Sequence, residues 1–392
     1  MSVTVRPYRE SDDDDVYRLR RLAFGGPRQP DADGHWPSGR TGWRGLVAEV
    51  AGGPVGFARS LHYGQYFGGV AVPMGGIASV AVDPHARGTG VAGAMLDAMV
   101  ADLREAGHPI SALYATVPQL YRRHGWEQVG VNERVTLPLG LFTTLPRPAR
   151  PVTSRRARPA DLDALGAAYR RFAATVDGML DRVGGPFRAE QMLDFDVVDV
   201  VDGPDGFSGA LLADRPEGET LTVLDLYAAD VDTALHLLRR IAAWAGVLRD
   251  VTLRVTDPAI HATLLTPPTV HDVQNHPWML RVVDLPAAVA ARGWPHAEWL
   301  RPFAVDVEVV DAQAPWHAGN HRLVVDDGTV RCDPGGGGAV RLEARALGPW
   351  FAGSADAATL RRAGLLTGDP DAARLLDLLT GAPRMPRMTN AF

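Results

Sequence analysis

A segment from Ser79 to Leu96 carries residues whose types and spacing suit the binding of a phosphate group. Ser79–Val82 is a β-branched apolar run that ends at Asp83-Pro84, which predicts a strand and then a turn. Arg87–Gly90 follows, and small and apolar residues then recur at helical spacing from Val91 to Leu103. A helix that begins at a glycine-rich turn leaves backbone N–H groups open to solvent, with partial positive charge. The segment therefore predicts a site for a pyrophosphate.

The spacing of this segment excludes two common phosphate-binding loops. A Walker loop ends in a lysine followed by serine or threonine, and the sequence contains no lysine. A Rossmann turn has its first glycine directly after the strand, whereas residues 83–86 stand between the strand and the turn here. The expected ligand is therefore neither a dinucleotide nor a nucleotide held in a Walker loop.

Length and composition limit the class and the partners of the protein. The 392 residues suffice for two or three domains, and the content of 46% hydrophobic and 22% charged residues is typical of a soluble globular protein. The net charge of −6 argues against a nucleic-acid partner and favours small cationic ones. The single Cys332 excludes an internal disulfide and a cysteine-based metal cage, and we expect no metal. Because no apolar leader or spanning stretch is present, we expect a cytoplasmic protein without a membrane partner.

Residues 1–145 predict a first unit of the α/β class. Strand, helix, meander, strand, helix, strand, helix and strand follow one another, and the phosphate-binding segment joins a strand to a helix near the middle. The predicted elements are Val3–Val5, Asp12–Phe24, Leu46–Val50, Gly56–His62, Gly69–Val82, the helix from Val91, Ile110–Ala115, Val117–His124 and Val129–Leu137.

Residues 146–277 look like a faded copy of the first unit, reached through a proline-rich segment. Arg158-Pro159 echoes Arg6-Pro7, and a predicted helix follows each pair. At the place that matches the phosphate-binding segment, residues 226–232 contain two aspartates and neither arginine nor glycine. Because two carboxylates would repel an anion, we expect the second unit to have a structural role.

Residues 278–392 form a third predicted unit. It begins with the strand Met279–Asp284 and the helix Leu285–Ala291, and continues with short strands up to Leu342. A helical turn is predicted at Pro349–Ala352, with the proline in the first position that tolerates it. Two further helices follow, and prolines keep the segment after Gly381 extended.

The motifs resemble a known family. Arg87-x-x-Gly90-x-Ala92 behind the strand resembles the coenzyme A pyrophosphate loop of the GCN5-related N-acetyltransferases, the GNAT superfamily. The three-part order, the segments 120–126 and 278–288, and the last phenylalanine resemble the Eis (enhanced intracellular survival) aminoglycoside acetyltransferases over all 392 residues. This resemblance implies tandem GNAT folds, the second degenerate, followed by a sterol-carrier-protein-like domain. It also implies acetyl-CoA as co-substrate and assembly as a homohexamer.

The resemblance further implies which residues handle acetyl-CoA. Those expected to bind it are Val80, Ala81, Val82, Arg87, Gly88, Thr89, Gly90 and Val91. Backbone N–H groups of a splayed strand would hold the acetyl carbonyl. Tyr121 would protonate the departing thiolate, and the α-carboxylate of Phe392 would take the proton of the amine. The tail suits this role, because Met385 and Met388 add apolar anchors that a merely solvated segment would not need.

Other candidate bases and an acceptor site follow from nearby residues. The strand over residues 75–79 has no glutamate, the usual base in simpler members of the fold, so His124, Ser79 and Glu127 are the alternatives to Phe392. Tryptophans are expected to wall the acceptor site and aspartates to attract a cation. The residues predicted to contact the acceptor are Trp36, Trp43, Asp31, Asp33 and Ser79.

Two functions from different classes fit these residues. An N-acetyltransferase would move the acetyl group to a polycationic small-molecule amine, such as an aminoglycoside, a polyamine or a lysine side chain. An acetyl-CoA- and lipid-binding protein would hold its ligands without turnover. The expected function is the acetyltransferase, and release of free thiol in the presence of an amine distinguishes the two.

Arg87→Ala should raise the KM for acetyl-CoA, because it removes a charged hydrogen bond to the pyrophosphate that is worth roughly 1.5–3 kcal/mol. Gly90→Val should raise the KM further, since its side chain would project to where the phosphates approach. Steady-state kinetics with varied acetyl-CoA measure both effects. An unchanged KM in both variants would contradict the coenzyme A assignment of this loop.

Overall fold

The chain has an α/β structure in which one large sheet carries most of the strands. A computed structural model describes residues 2–27, 42–184, 186–187, 189–265, 272–390 and 392. The strands are β1 Thr4–Pro7, β2 Trp43–Val50, β3 Gly53–Phe67, β4 Val70–Val82, β5 Ile110–Leu113, β6 Glu127–Pro138, β7 Arg155–Arg156, β8 Leu180–Asp181, β9 Val197–Gly203, β10 Gly206–Asp214, β11 Thr220–Ala228, β12 Asp250–Arg254, β13 Asp272–Val282, β14 Phe303–Val310, β15 Gly319–Asp326, β16 Thr329–Pro334, β17 Val340–Glu343 and β18 Leu366–Gly368. The helices are α1 Asp13–Phe24, α2 Val91–Glu105, α3 Pro118–Arg123, α4 Gly140–Thr143, α5 Leu162–Ala173, α6 Val231–Ala242, α7 Pro258–Leu264, α8 Leu285–Ala291, α9 Ala344–Phe351, α10 Ala357–Arg362 and α11 Pro370–Thr380. Among the described helices, none is long and apolar enough to cross a membrane.

The large sheet runs without a break through the first two predicted units. Its strand order is β1-β2-β3-β4-β5-β13-β6-β12-β11-β10-β9-β7, and β8 pairs with β3. β13 is antiparallel to both of its neighbours, with Leu280 opposite Ala112 on β5 and opposite Glu127 on β6. β13 spans residues 272–282, so the predicted division after residue 277 falls inside a strand of the first unit's sheet.

The second unit repeats the beginning of the first, but in a different register from the predicted one. Arg6 donates two hydrogen bonds to the carboxylate of Asp12, at 2.7 and 2.8 Å. Arg155 does the same to Asp161, at 2.7 and 3.0 Å. Arg155 therefore corresponds to Arg6, and the predicted match between Arg158 and Arg6 is out of register. The dipeptide Arg-Pro was misleading because the arginine that pairs with the aspartate belongs to this dipeptide in the first unit but lies three residues before it in the second.

A buried ion pair joins the third unit to the large sheet. The third unit has its own sheet, in the order β16-β15-β14-β17-β18. Arg281 on β13 donates hydrogen bonds of 2.9 and 2.8 Å to Asp311, and neither side chain is exposed. Nδ1 of His317 accepts a hydrogen bond from the N–H of Leu285 at 3.0 Å, so the proton is on Nε2, which faces Asp311 at 3.0 Å. The carboxylate of Asp311 thus has one partner on β13 and another in the loop between β14 and β15.

The third unit departs from the prediction at α9. A helical turn was expected to begin at Pro349, but α9 spans Ala344–Phe351 with this proline inside it. A proline within a helix costs about 3 kcal/mol, because it removes a hydrogen bond and its ring clashes with the preceding turn. Leu347 and Phe351 are fully buried, and each such side chain contributes roughly 1.5–3 kcal/mol. Packing therefore holds the segment helical despite the proline.

Asp311→Asn should destabilise the protein by roughly 3–5 kcal/mol, because it leaves the guanidinium of Arg281 buried without a counter-charge. Urea unfolding followed by tryptophan fluorescence measures the change. Glu308→Gln on β14 is the matched control, since its ion pair with Arg341, at 2.6 Å, is exposed. The control should lose no more than about 1 kcal/mol. Equal losses in the two variants would show that burial adds nothing to the importance of Asp311.

Candidate active site

An irregularity in β4 opens the sheet just before the phosphate-binding segment. β4 pairs with β5 at Met74–Gly76, and none of the described strands pairs with this edge of β4 farther along. Ser79 has a left-handed φ of +55°, and the register between β4 and β3 shifts at this point. Such a bulge bends a strand, so the backbone of Val80–Val82 lies beside a gap between β4 and β5.

The turn after β4 leaves the beginning of α2 open. Gly88 and Gly90 have left-handed φ angles of +76° and +91°, and no described atom lies within 4 Å of where a Cβ atom would stand on either. Gly90 is the N-cap of α2, and its first turn has no capping side chain and no acidic residue. Arg87–Gly90 are exposed, whereas Val91 is buried and anchors the helix. The backbone N–H groups at this end can therefore bind an anion.

The corresponding helix of the second unit is closed to anions. Asp230 caps α6 by accepting a hydrogen bond from the N–H of Thr233 at 2.8 Å. The proline-rich linker between the first two units, which contains Ala149 and Arg150, covers the same end. The N–H of Ala149 donates to Asp232 at 2.7 Å, and Arg150 binds Asp230 at 2.5 Å. Two carboxylates and the linker thus occupy the place that a pyrophosphate would need.

The tail after Gly381 is held between the first and second units. The N–H of Val131 on β6 donates to the carbonyl of Pro386 at 3.2 Å, and the N–H of Met388 donates back to Val131 at 3.3 Å. On the other side, the N–H of Arg387 donates to the carbonyl of Asp177 at 2.9 Å. Met388 is fully buried. The backbone of the tail is therefore hydrogen-bonded to both the first and the second unit.

Phe392 reaches the gap in the sheet. A Cβ atom on Gly76 would lie 2.7 Å from the ring of Phe392, so the ring rests directly on this glycine. The rings of Tyr63 and Tyr114 lie around it, with centroids 5.3 and 5.9 Å away. The hydroxyl of Tyr114 donates to the carbonyl of Asn390 at 3.1 Å and fixes the approach of the tail. These contacts bring Phe392 to the point where β4 and β5 separate.

Tyr121 lies on the other face of β4. It is buried in α3, belongs to the same apolar cluster as Ile77, and meets Trp126 edge-on at 6.3 Å. Side chains alternate along a strand, so Ile77 and Gly76 face opposite ways, and Phe392 lies on the side of Gly76. Burial raises the pKa of Tyr121 above its ordinary value, so the hydroxyl stays protonated at neutral pH and can donate.

Two of the three alternative bases, Glu127 and His124, are engaged by charged neighbours. Glu127 accepts hydrogen bonds from Arg122 at 3.0 Å and from Arg345 of the third unit at 2.9 Å. Nδ1 of His124 lies 2.8 Å from the carboxylate of Asp97. Both side chains thus have a structural partner already, whereas the tail brings Phe392 to the gap itself.

The residues predicted to contact the acceptor do not form one described cluster. Trp36, Asp31 and Asp33 lie outside the described residues. Ser79 forms the bulge of β4. Trp43 begins β2 and packs against Tyr8, with ring centroids 5.3 Å apart, in the core beneath α1. The structure therefore groups Trp43 with α1, and its contact with an acceptor stays a prediction.

A cavity of about 270 Å³ lies beside the tail, and the sequence did not predict it. Asn390 lines this cavity, as does Phe187, whose ring packs against Tyr63 at 5.3 Å. Its charged walls are Arg182, Asp225 and Arg254. These residues come from separate segments that only the shared sheet brings together. No periodicity or motif in the sequence marks them, and the aromatic spacing around Phe392 carries no signal either.

Two family models and several known proteins match the chain. Residues 4–129 match the acetyltransferase (GNAT) domain, and residues 285–389 match the sterol carrier protein domain. An uncharacterized N-acetyltransferase of Streptomyces avermitilis is 30% identical over 68% of this chain and 68% of its own. The N-acetyltransferase Eis of Mycobacterium tuberculosis is 26% identical over 96% of each chain. The crystal structure of a GCN5-related N-acetyltransferase from Kribbella flavida, 28% identical, superposes with a TM-score of 0.84 over 100% of this chain and 98% of that one.

The fold and these relatives define an N-acetyltransferase with a GNAT domain at its beginning and a sterol-carrier-like domain toward its end. The chain belongs to the Eis family of the GCN5-related N-acetyltransferases. GNAT acetyltransferases use acetyl-CoA as donor, and the open end of α2 beside the gap in the sheet suits such a ligand.

Tyr121→Phe should lower kcat by roughly 10²–10³-fold while the affinity for acetyl-CoA changes little, because a general acid acts on the transition state. Thiol release measures kcat, and calorimetric titration measures affinity. Tyr227→Phe is the matched control, since this buried tyrosine of the second unit bonds to the carbonyl of Leu165 at 3.4 Å. A Tyr121→Phe variant that turns over like the control would make Tyr121 a packing residue only.

Proposed function

We propose that the protein transfers the acetyl group of acetyl-CoA to the amine of a small molecule by direct attack. The observation that carries this proposal is the position of Phe392, whose ring rests on Gly76 where β4 and β5 separate. Hydrogen bonds from two units order the tail up to this place. Such ordering supports a role for the carboxylate of Phe392 in the reaction.

In the proposed reaction, Tyr121 and Phe392 act from opposite faces of β4, beside the gap between β4 and β5. Backbone N–H groups of Val80–Val82 would hold the acetyl oxygen, on which negative charge develops, and Arg87–Val91 would hold the pyrophosphate. The amine attacks the acetyl carbon, and the C–N bond forms as the C–S bond breaks. Tyr121 gives its proton to the departing sulfur, and the carboxylate of Phe392 takes the proton that the amine loses, directly or through a water molecule.

The acceptor and the assembly rest on the family resemblance. Amines with several cationic groups, such as aminoglycosides, polyamines and lysine side chains, are the acceptors it suggests, and they are the first to screen. Assembly as a homohexamer and a cytoplasmic location belong to the same proposal. Gel filtration with light scattering measures the assembly directly.

A C-terminal extension tests the role of Phe392. A few residues added after it should lower kcat by roughly 10²–10⁴-fold, because they move the carboxylate away from the gap. Acetyl-CoA binding, measured by calorimetry, should persist because the loop before α2 is untouched. Deletion of Phe392 should be as damaging as the extension, whereas the same extension at the N-terminus should be harmless.

Two outcomes of this experiment would count against the proposal in different ways. Full activity in the extended protein would exclude the terminal carboxylate as base and make His124 or a chain of water molecules the next candidate. Binding of acetyl-CoA without thiol release, for the parent protein and every amine screened, would overturn the acetyl transfer itself.

A further inference from the structure

Two arginines stand directly opposite each other beside the tail. Arg134 on β6 pairs in register with Arg254 on β12, and side chains at such positions leave the same face of a sheet. Asn132 lies two residues before Arg134 on β6, so its side chain leaves the same face, and it donates a hydrogen bond to the carbonyl of Thr389 in the tail at 3.4 Å. The hydroxyl of Tyr114 bonds to the carbonyl of Asn390 as well. The arginine pair therefore lies on the face of the sheet that carries the tail.

The positive charge of this pair is only partly offset. The nearby carboxylate of Asp225 is held by two hydrogen bonds from Arg182. The Nε atoms of Arg134 and Arg254 are buried and have no hydrogen-bond partner among the described residues. Guanidinium groups remain charged in proteins, and like charges directly opposite each other destabilise a sheet. Burial lowers the pKa of Arg254, as expected where too little negative charge surrounds a cation.

The cavity beside the tail brings this charge within reach of an acceptor. Arg254 and Asn390 line it, and Phe187 and Phe195 give it an apolar wall. We propose that the preferred acceptor carries an acidic group, a carboxylate or a phosphate, which binds at Arg134 and Arg254 while an apolar body fills the cavity. This inference rests on the proposed function and narrows it, because it favours an acid-bearing amine over a polycation.

The position of the tail allows both groups of such an acceptor to be bound at once. Asn390 lies at the cavity, and the two residues from there to Phe392 span at most roughly 7 Å. An acceptor whose acid binds at the arginines and whose body extends along the tail would present its amine to the carboxylate of Phe392, the proposed base.

Matched amines test the inference on the parent protein. Phenylalanine and phenethylamine differ by a carboxylate, O-phosphoethanolamine and ethanolamine differ by a phosphate, and spermidine represents the polycations. In at least one pair, kcat/KM from thiol release should be roughly tenfold or more higher for the acid-bearing member, the effect of a charged hydrogen bond. The pair with the larger ratio identifies the acid.

Arg254→Met tests the arginine itself. It should reduce the ratio within the preferred pair to about one, while Arg254→Lys should keep part of the preference because it keeps the charge. Arg249→Met is the matched control, since that side chain is exposed just before β12, and it should leave the ratio unchanged. Equal losses for both members of the pair would mean that Arg254 serves the terminal carboxylate, and would overturn the inference.

The parent protein alone can also overturn the inference, so a variant that fails to fold does not decide it. Ratios of one or less in both pairs, or a higher kcat/KM for spermidine, would exclude an acid-binding role for the arginines while acetyl transfer stands. Absence of thiol release with every amine would instead overturn acetyl transfer, and the inference with it.

Discussion

The backbone hydrogen bonds of β13 are the constraint on which the other parts of the molecule depend. β5 and β6 are successive strands of the first unit, yet they do not pair with each other, because β13 lies between them. Without β13 each would present an unpaired edge inside a sheet, which is a template for aggregation. Arg281 on the same strand bonds to the carbonyl of His124 at the end of α3 and to Asp311 of the third unit. The helix that carries Tyr121 and the position of the third unit are therefore both set from β13.

The second unit has no open helix end for a pyrophosphate and contributes to the molecule through residues beside the tail. Its own helix end is filled by Asp230 and the linker, so it offers no second place for a pyrophosphate. Its other residues support the tail, through the carbonyl of Asp177, and line the cavity, through Arg182 and Arg254. The second unit, which begins with the same ion pair as the first, thereby borders both the tail and the cavity.

The sequence predicted the features that depend on neighbouring residues, and it did not predict those that depend on contacts between distant segments. The helix after Gly90 and the helix Leu285–Ala291 were predicted with correct beginnings, because caps and apolar spacing are encoded within one segment. The family was identified from the short run around Arg87 and is confirmed by the relatives. The insertion of β13 escaped prediction because strand pairing across a whole unit leaves no local pattern. The contacts of Phe392 with Gly76, Tyr63 and Tyr114 escaped it for the same reason. The apolar residues of the tail did predict docking, although Met385 is exposed and only Met388 is fully buried.

The closed end of α6 has a consequence for how this protein can change over generations. Replacing Asp230 alone would remove the cap of α6, because the N–H of Thr233 would lose its acceptor, while Arg150 would keep only its longer ion pair with Asp232, at 3.6 Å. Replacing Asp232 alone would strand the N–H of Ala149. Each single step back toward an anion site thus removes a helix cap or a contact with the segment between the units before any ligand can compensate. A pyrophosphate site in the second unit would therefore require the replacement of both Asp230 and Asp232 and a rearrangement of the segment that covers them.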